Sequence, residues 1–314
     1  MFKLAEFPPS APVKKPEKRG EAMDQMLGVI ASRLNSDFAP FLDDKQKGPI
    51  VDQTCSISPD CFAVASGGPY SRVDDVKTDK RFVKAKQLEW SEAEDSNVAK
   101  FYAQKYGCNT TEEIVAQWIE NKEQHVSMQL EKAITAIFYK IIGSKFLVMR
   151  ASTYDDYANR VDNVIVDRAT GDVVCTFDEV HDAGKGDRRA EKEEKIVKVA
   201  KHGGCKVKYG ITFEKGDDGK QKLVKKGIGN IPLFFISLNT DELYGLLNGM
   251  SYNLDEKPTK VEIGIFNKLL NSLEEQQRFL AGQRIDPEVT KNLEKFEESL
   301  ARMREILVEK FGEK

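Results

Sequence analysis

The sequence predicts an α+β (α/β) protein whose strands are grouped in the middle of the chain, between helices. Three short apolar segments lie between Lys145 and Val180, and the last two are rich in β-branched residues, which is typical of buried strands. Stretches with apolar residues at every third or fourth position lie before and after them, which is typical of amphipathic helices.

The N-terminal third contains few clear patterns. Residues 1–19 are rich in proline and lysine and predict a loose tail. An amphipathic helix is expected over about 20–34, whereas residues 35–90 carry no pattern that predicts an element. The sequence Ser91-x-x-Glu94 resembles a capping box and predicts that a helix begins there.

Two more helices lead to the strands. One is expected to begin at about 108–113, and the other covers about 123–142 and ends at Gly143. The three predicted strands are Phe146–Arg150, Asn163–Asp167 and Val173–Phe177.

The second and third strands predict a tight hairpin that brings carboxylates together. A three-residue loop, 169–171, places Asp162 opposite Asp178, and a two-residue loop, 170–171, places it opposite Glu179. Directly opposed side chains have Cβ atoms about 4.5–5.5 Å apart, so in both registers two negative charges repel each other. A hard divalent cation such as Mg²⁺ or Mn²⁺, bound by carboxylate oxygens, would remove that repulsion.

The remainder of the chain alternates strands and helices. The expected elements are a charged helix within 183–204, a strand over 205–213, one or two strands over 223–238, a short helix over 240–248, and helices over 258–282 and 286–312. The last helix carries an apolar stripe that resembles a short coiled-coil seam, which suggests a possible homodimer through the C-terminal helices. The stripe comprises Leu293, Phe296, Leu300, Met303, Leu307 and Phe311.

The length and composition of the chain predict how it divides into units and in which environment it folds. We expect a tail at 1–19, an N-terminal extension at 20–110, a core at 111–255 and a helical hairpin at 256–314. Five cysteines without a C-x-x-C pair predict reduced thiols in a cytoplasmic protein. The most apolar region, Ile134–Met149, is interrupted by charged and polar residues, so no membrane association is expected.

The order helix, three strands, helix, strand, together with the acids at the strand ends, resembles the PD-(D/E)xK nuclease superfamily. This restriction-endonuclease-like fold has a mixed sheet flanked by helices. The resemblance covers about residues 123–240 and implies Mg²⁺ or Mn²⁺ as cofactor. It implies that Asp162 is the first metal ligand, that Asp178 or Glu179 is the second, and that Glu131 is the acid of the preceding helix.

One part of the family motif is missing. The family carries a lysine two residues after the second acid, but Val180 and His181 occupy the two positions where it is expected. The following helix offers Lys192, Lys195 and Lys198 as replacements by spacing, and we take Lys195 as the candidate catalytic lysine. If no lysine reaches the site, the domain is expected to be an inactive relative.

The same helix predicts a nucleic-acid contact. Arg188, Lys192 and Lys198 fall three or four residues apart along one face, which suits a phosphate backbone, although intervening glutamates also fit a solvated helix. Upstream, the Tyr154–Tyr157 segment adds Asp155 and Asp156 to the acids and two rings that could stack on bases.

Two functions are therefore expected from the sequence. The first is a metal-dependent phosphodiester hydrolase acting on DNA or RNA, in which bound metal activates water and neutralises phosphate charge. The second is a catalytically inactive nuclease-fold scaffold that binds nucleic acid or a protein partner. A metal response separates the two functions, because only the first requires the cation.

Overall fold

A computed structural model of the protein describes residues 16–42, 48–63, 73–182, 188–216 and 219–312. Six β-strands are found in these residues, and they form two separate sheets. The strands are β1 (Phe146–Arg150), β2 (Asn163–Asp167), β3 (Val173–Asp182), β4 (Cys205–Lys215), β5 (Gln221–Ile231) and β6 (Leu233–Asn239). The larger sheet has the order β1-β2-β3-β6, and β4 and β5 form a two-stranded hairpin.

Ten α-helices surround these strands in the described ranges. They are α1 (Pro16–Phe38), α2 (Val73–Ser91), α3 (Ser96–Tyr106), α4 (Thr111–Glu123), α5 (Val126–Ile142), α6 (Thr153–Asn159), α7 (Arg188–Lys201), α8 (Thr240–Gly249), α9 (Lys260–Ala281) and α10 (Pro287–Phe311). Two 3₁₀ turns lie at Ala39–Phe41 and Pro59–Phe62. The α+β class and the mixed sheet flanked by helices are thus confirmed.

The larger sheet is mixed because β6 returns parallel to β3. The pairs β1–β2 and β2–β3 are antiparallel, as expected of a meander, and Phe177 of β3 is paired with Phe234 of the parallel strand β6. The strand at 205–213, which follows α7 directly, does not join this sheet. Instead, the β4–β5 hairpin is inserted between α7 and the strand that completes the sheet.

Helices cover both faces of this sheet. Because Phe177 and Phe234 are register partners, they share a face, where Phe138 of α5 lies 5.5 Å from Phe177 and Phe296 of α10 stacks 4.3 Å from Phe234. On the opposite face, α7 lies over Phe235. Residues from α1 to α10 contribute to one hydrophobic core, and a smaller cluster forms where α3 meets α4.

The β2–β3 turn differs from both predicted loops. The chain reverses over four residues, 168–171, and Asp167 pairs with Asp172 through an N–H···O bond of 2.9 Å. A β-bulge at Val174 then inserts one extra residue into β3, so Ile165 pairs with Cys175 and Asn163 with Phe177. Extending that register by one residue places Asp162 across from Asp178. This is the pairing that the three-residue loop, 169–171, predicts.

Several N-terminal expectations were wrong. Residues 35–90 contain most of helix α2. Among the described side chains of this helix, Val76 is the one apolar residue that is fully buried. The predicted capping box at Ser91 does not start a helix, because Ser91 ends α2. The next helix is capped by Asp95, whose carboxylate accepts the N–H groups of Asn97 and Val98. Most of the predicted tail, residues 1–15, lies outside the described residues, and α1 begins at Pro16.

The apolar stripe of α10 packs inside the chain. Five of its members are buried and belong to the main core, where α10 meets α9 and the strands β3 and β5; they are Leu293, Phe296, Leu300, Met303 and Leu307. The stripe therefore no longer supports a homodimer. Among the described helices, none combines the length and the apolar character needed to cross a bilayer.

Candidate functional site

Two of the predicted acids meet where β2 begins. Asp162 lies immediately before β2, and its Oδ2 accepts the backbone N–H of Glu179 on the neighbouring strand at 2.7 Å. The two carboxyl groups are within hydrogen-bonding reach of each other. Glu179 is only 7% exposed, whereas Asp162 is partly exposed to a cavity. The strand ends therefore bring two acids to one shared location.

A chain of hydrogen bonds holds one oxygen of Glu179 in place. The Nδ2 group of Asn163 donates to Glu179 Oε1 at 2.7 Å, and Thr135 of α5 donates to Asn163 Oδ1 at 2.9 Å. The other oxygen, Glu179 Oε2, is buried and has no hydrogen-bond partner in the described structure. A buried carboxylate oxygen without a partner is costly, and such an oxygen is satisfied by a proton, an ordered water or a ligand.

Burial raises the pKa of both acids, and the charge of Glu131 adds to both shifts. For Asp162 the pKa is well above its usual value, first because of burial and then because of the charges of Glu179 and Glu131. The pKa of Glu179 is also raised, again chiefly by burial, although its hydrogen bonds to Asp162 and Asn163 oppose the shift. At neutral pH in the absence of a cation, the pair is therefore expected to retain at least one proton.

Two further acids lie next to this pair, and each has a basic partner. Glu131 of α5 accepts from the Nη2 group of Arg150 at 2.8 Å. Asp156 of α6 lies 3.9 Å from the Nζ of Lys122, and burial raises its pKa to about 6 despite that lysine. All four side chains line a cavity of about 210 Å³, which also exposes Asp162.

The cavity is rich in negative charge. Five acidic and two basic side chains contribute to its wall, together with polar and apolar groups. The acidic set consists of Asp52, Glu123, Glu131, Asp156 and Asp162, and the basic set of Lys122 and Arg150. In addition, the Nε of Arg150 is buried without a hydrogen-bond partner. The wall therefore combines an excess of acidic side chains with two cationic ones.

Asp178 lies apart from this cavity. Because successive side chains along a strand point to opposite faces, Asp178 and Glu179 project in opposite directions. Lys195 of α7 binds Asp178 at 2.6 Å and lies 5.1 Å from the ring centroid of Phe235. The structure thus brings the candidate catalytic lysine to Asp178, and it favours Glu179 over Asp178 as the partner of Asp162.

The other sequence-predicted residues are dispersed. Lys192 lies over Phe235, at 5.5 Å from its ring centroid, Lys198 is exposed, and the side chain of Arg188 lies outside the described residues, as do those of Val180 and His181. The described side chains of Lys192 and Lys198 do not line the cavity.

The residues of the Tyr154–Tyr157 segment have different roles, because some of them support the fold and others line the cavity. Asp155 is buried and accepts the backbone N–H groups of Lys208 and Tyr209 at 2.7 and 3.1 Å, so it joins α6 to β4 and does not widen the acidic cluster. Tyr154 packs edge-on against Tyr209, whereas Tyr157 lines the cavity.

Sequence reasoning missed the cationic and amide members of the site. Arg150 is the last residue of β1, Asn163 directly follows Asp162, and Lys122 comes from α4. The only available signal was the adjacency of Asp162 and Asn163, which places both at the start of one strand. The positions of Arg150 and Lys122 depend on how α4 and α5 pack on the sheet.

The described residues do not form a complete metal-binding cage. Within the described residues, no group of three or more His, Cys, Asp or Glu side chains is arranged to hold a metal ion. The arrangement is a close pair of carboxyl groups, with Glu131 held nearby by Arg150.

The raised pKa values predict that stability falls as pH rises. Between about pH 4.5 and pH 8 the native protein binds more protons than the unfolded chain, so the free energy of unfolding decreases with pH in that window. Changing Asp162→Asn removes one titrating group and the repulsion. We expect it to raise stability at pH 8 by about 1–3 kcal/mol and to flatten the slope.

Urea unfolding at pH 5, 6.5 and 8 in the presence of EDTA measures this effect. The matched control is Asp255→Asn, because Asp255 is a surface residue paired with Arg33. Equal slopes for wild-type protein and Asp162→Asn would show that Asp162 ionises normally in the folded state.

Comparison of the chain with protein-family models, with curated proteins and with solved structures finds no match.

Proposed function

We propose that the protein is a metal-dependent phosphodiester hydrolase that acts on nucleic acid. The observation that carries this proposal is the buried contact between Asp162 and Glu179, in which Glu179 Oε2 has no hydrogen-bond partner. A structure that holds two like charges together at this cost fits a site that is completed by a cation.

The topology gives independent support. The resemblance to PD-(D/E)xK nucleases depends on the order helix, three strands, helix, strand, in which the last strand is 205–213. Helix α5, strands β1–β3 and helix α7 follow that order, but β4 lies in the separate hairpin, and β6 is the strand that pairs parallel with β3 in the larger sheet. Asp162 and Glu179 occupy neighbouring strands, and Glu131 comes from the helix before the first strand, as that resemblance implies. The β4–β5 hairpin and the C-terminal helices are additions around this arrangement.

The donor set fits Mg²⁺ or Mn²⁺. Magnesium usually retains several waters and is bound by one or two carboxylates plus substrate phosphates, so it does not require three protein ligands. Asp162 and Glu179 would hold the ion, and Glu131 is the next acid within its field. When bound, such an ion supplies an acidified water and a Lewis acid for the phosphate.

The protein's own cations would handle the charge of the substrate. Arg150 and Lys122 line the cavity wall that Asp162 reaches, so they are placed to meet phosphate oxygens. Arg150 holds Glu131 by a bond of 2.8 Å, which fixes the orientation of both groups. Lys195, the sequence candidate for the missing motif lysine, binds Asp178 on the face of β3 opposite to Glu179, so the cations that line the cavity are Lys122 and Arg150.

An inactive scaffold is the second candidate function. It is favoured by the engagement of Lys195 with Asp178, because no lysine of α7 lines the cavity with Asp162 among the described side chains. Such a scaffold would bind nucleic acid or a protein partner without turnover, and its binding would not change when Asp162 is replaced.

Metal-dependent thermal stability tests the proposal. At pH 8, a Mg²⁺ or Mn²⁺ concentration ten times the Kd is expected to stabilise the fold by about 1.4 kcal/mol, which raises the Tm by about 2 °C in a chain of this length. The ion replaces the proton between Asp162 and Glu179, so the shift should shrink at pH 5.5. Asp162→Asn and Glu179→Gln should both abolish it, whereas Asp178→Asn should retain most of it. An unchanged wild-type Tm at every metal concentration would remove the basis for the proposal.

A further inference from the structure

An exposed tryptophan lies at the edge of the cavity. Trp90, at the end of α2, is 47% exposed, and its ring stacks on Tyr157 with centroids 4.5 Å apart and an interplanar angle of 19°. Tyr157 is itself buried and lines the cavity. Because Tyr157 covers the inner face of the indole, the exposed surface of Trp90 belongs to its edge and outer face.

A lysine joins this aromatic pair to the acidic site. The Nζ of Lys122 lies 4.9 Å from the ring centroid of Tyr157 and 5.9 Å from that of Trp90. The same lysine lines the cavity with Asp162 and is the basic partner of Asp156. The half-exposed indole of Trp90 therefore stacks on one cavity-lining residue, Tyr157, and Lys122 connects that stack to the cavity that Asp162 also lines.

We infer that Trp90 is a stacking platform for an unpaired base of a single-stranded nucleic acid. A base on the outer face of Trp90 would extend the Trp90–Tyr157 stack, and Lys122 would meet the neighbouring phosphate on the way to Asp162. Paired bases within a duplex cannot offer a face to a protein ring, so the substrate class is single-stranded or locally unpaired. This inference rests on the proposed function for its ligand.

The alternative is that Trp90 is an ordinary surface aromatic, since isolated exposed apolar residues are common. Trp118 of α4 provides the contrast within the same chain. It is half-buried and packs against the small cluster formed by α3 and α4, without lining the cavity. A ligand that stacks on Trp90 should therefore leave Trp118 unaffected.

Intrinsic fluorescence tests the inference directly, because the chain contains only two tryptophans. In full-length Trp118→Phe, Trp90 is the sole reporter. It is titrated with oligothymidylate and oligouridylate of about ten nucleotides, with a duplex, and with an abasic oligonucleotide of equal charge. Titrations run in EDTA and again with Mg²⁺ in the Asp162→Asn background, so that cleavage does not interfere. We expect quenching by the single strands and little by the duplex or the abasic strand.

Affinity variants complete the test. Since base–aromatic stacking contributes about 1–3 kcal/mol per base, Trp90→Ala should weaken single-strand binding roughly 5- to 150-fold, and Trp90→Phe should retain most of it. A Trp90→Ala affinity within about twofold of wild type, or equal quenching by the abasic strand, would overturn the inference.

The outcome separates this inference from the proposed function. Metal-dependent cleavage with no effect of Trp90→Ala would retain the hydrolase and remove the platform. Single-strand stacking without cleavage would retain the platform and leave a binding scaffold.

Discussion

Replacing Asp162 by asparagine is expected to lower metal-dependent cleavage of nucleic acid by at least about 100-fold, which corresponds to about 2.7 kcal/mol of lost transition-state stabilisation. The substitution preserves the shape of the side chain and an oxygen that can accept the N–H of Glu179. It removes the negative charge that a cation requires. The loss should therefore appear in catalysis while the fold is retained.

Glu179→Gln is expected to have a comparable effect, because Glu179 supplies the unpartnered oxygen of the pair. Asp178→Asn should cost less, since Asp178 lies on the opposite face of β3 and binds Lys195. Comparing the two variants resolves which neighbouring acid of β3 serves the site. The cleavage rate of Lys195→Met tests separately whether Lys195 acts as the missing motif lysine.

End-labelled single-stranded DNA, duplex DNA and RNA serve as substrates, assayed with Mg²⁺, with Mn²⁺ and with EDTA. Asp255→Asn is the matched control, because it makes the same chemical change at a surface ion pair. Wild-type rates should rise from pH 6 to pH 8, as the raised pKa of Glu179, about 8, is approached. A metal-induced Tm shift without cleavage of any substrate would identify the inactive scaffold.

The strands could be predicted closely because their signals are local. β1 and β2 have the predicted bounds, and both are buried at every position, which matches their continuous apolar character. β3 extends five residues further than predicted, to Asp182, because pairing with the parallel strand β6 continues the ladder through the acidic residues. Because of that extension, Asp178 and Glu179 lie within the strand, and their side chains point to opposite faces of the sheet.

The helices that were missed have weak local signals. α2 is highly charged and buries few of its residues, so it lacks an apolar stripe from which it could be recognised. α6 has only seven residues, and it is fixed by the Ser152 cap and by bonds from Asp155 to the backbone of β4. Both helices depend on contacts with distant parts of the chain.

Only part of the candidate site could be predicted, because only part of it is formed by residues that are close in the sequence. The approach of Asp162 to β3 follows from the hairpin alone, even though a four-residue turn and a bulge at Val174 replace the expected loop. The ion pair between Arg150 and Glu131 and the position of Trp90 depend on helix packing, which no short motif encodes.

The largest effect on stability is expected at a buried ion pair outside the site. Lys140 in α5 and Glu262 in α9 are 2% and 0% exposed at their side chains, and their closest charged atoms are 3.0 Å apart. Lys140 also donates to the carbonyl of Ser251 at 2.9 Å, and Glu262 accepts the N–H of Thr259 at 2.6 Å. The pair thus ties α5 to the capping box that begins α9.

Lys140→Met and Glu262→Gln should each lower the free energy of unfolding by about 3–5 kcal/mol, because each leaves a buried charge without its partner. The double variant should cost clearly less than the sum of the two, since it buries no unpaired charge. Urea unfolding at pH 7 measures all three. The surface pair Arg33–Asp255 is the control, and its disruption should cost less than about 1 kcal/mol. Strictly additive single effects would mean that the two charges do not depend on each other, and that packing alone holds α9 against α5.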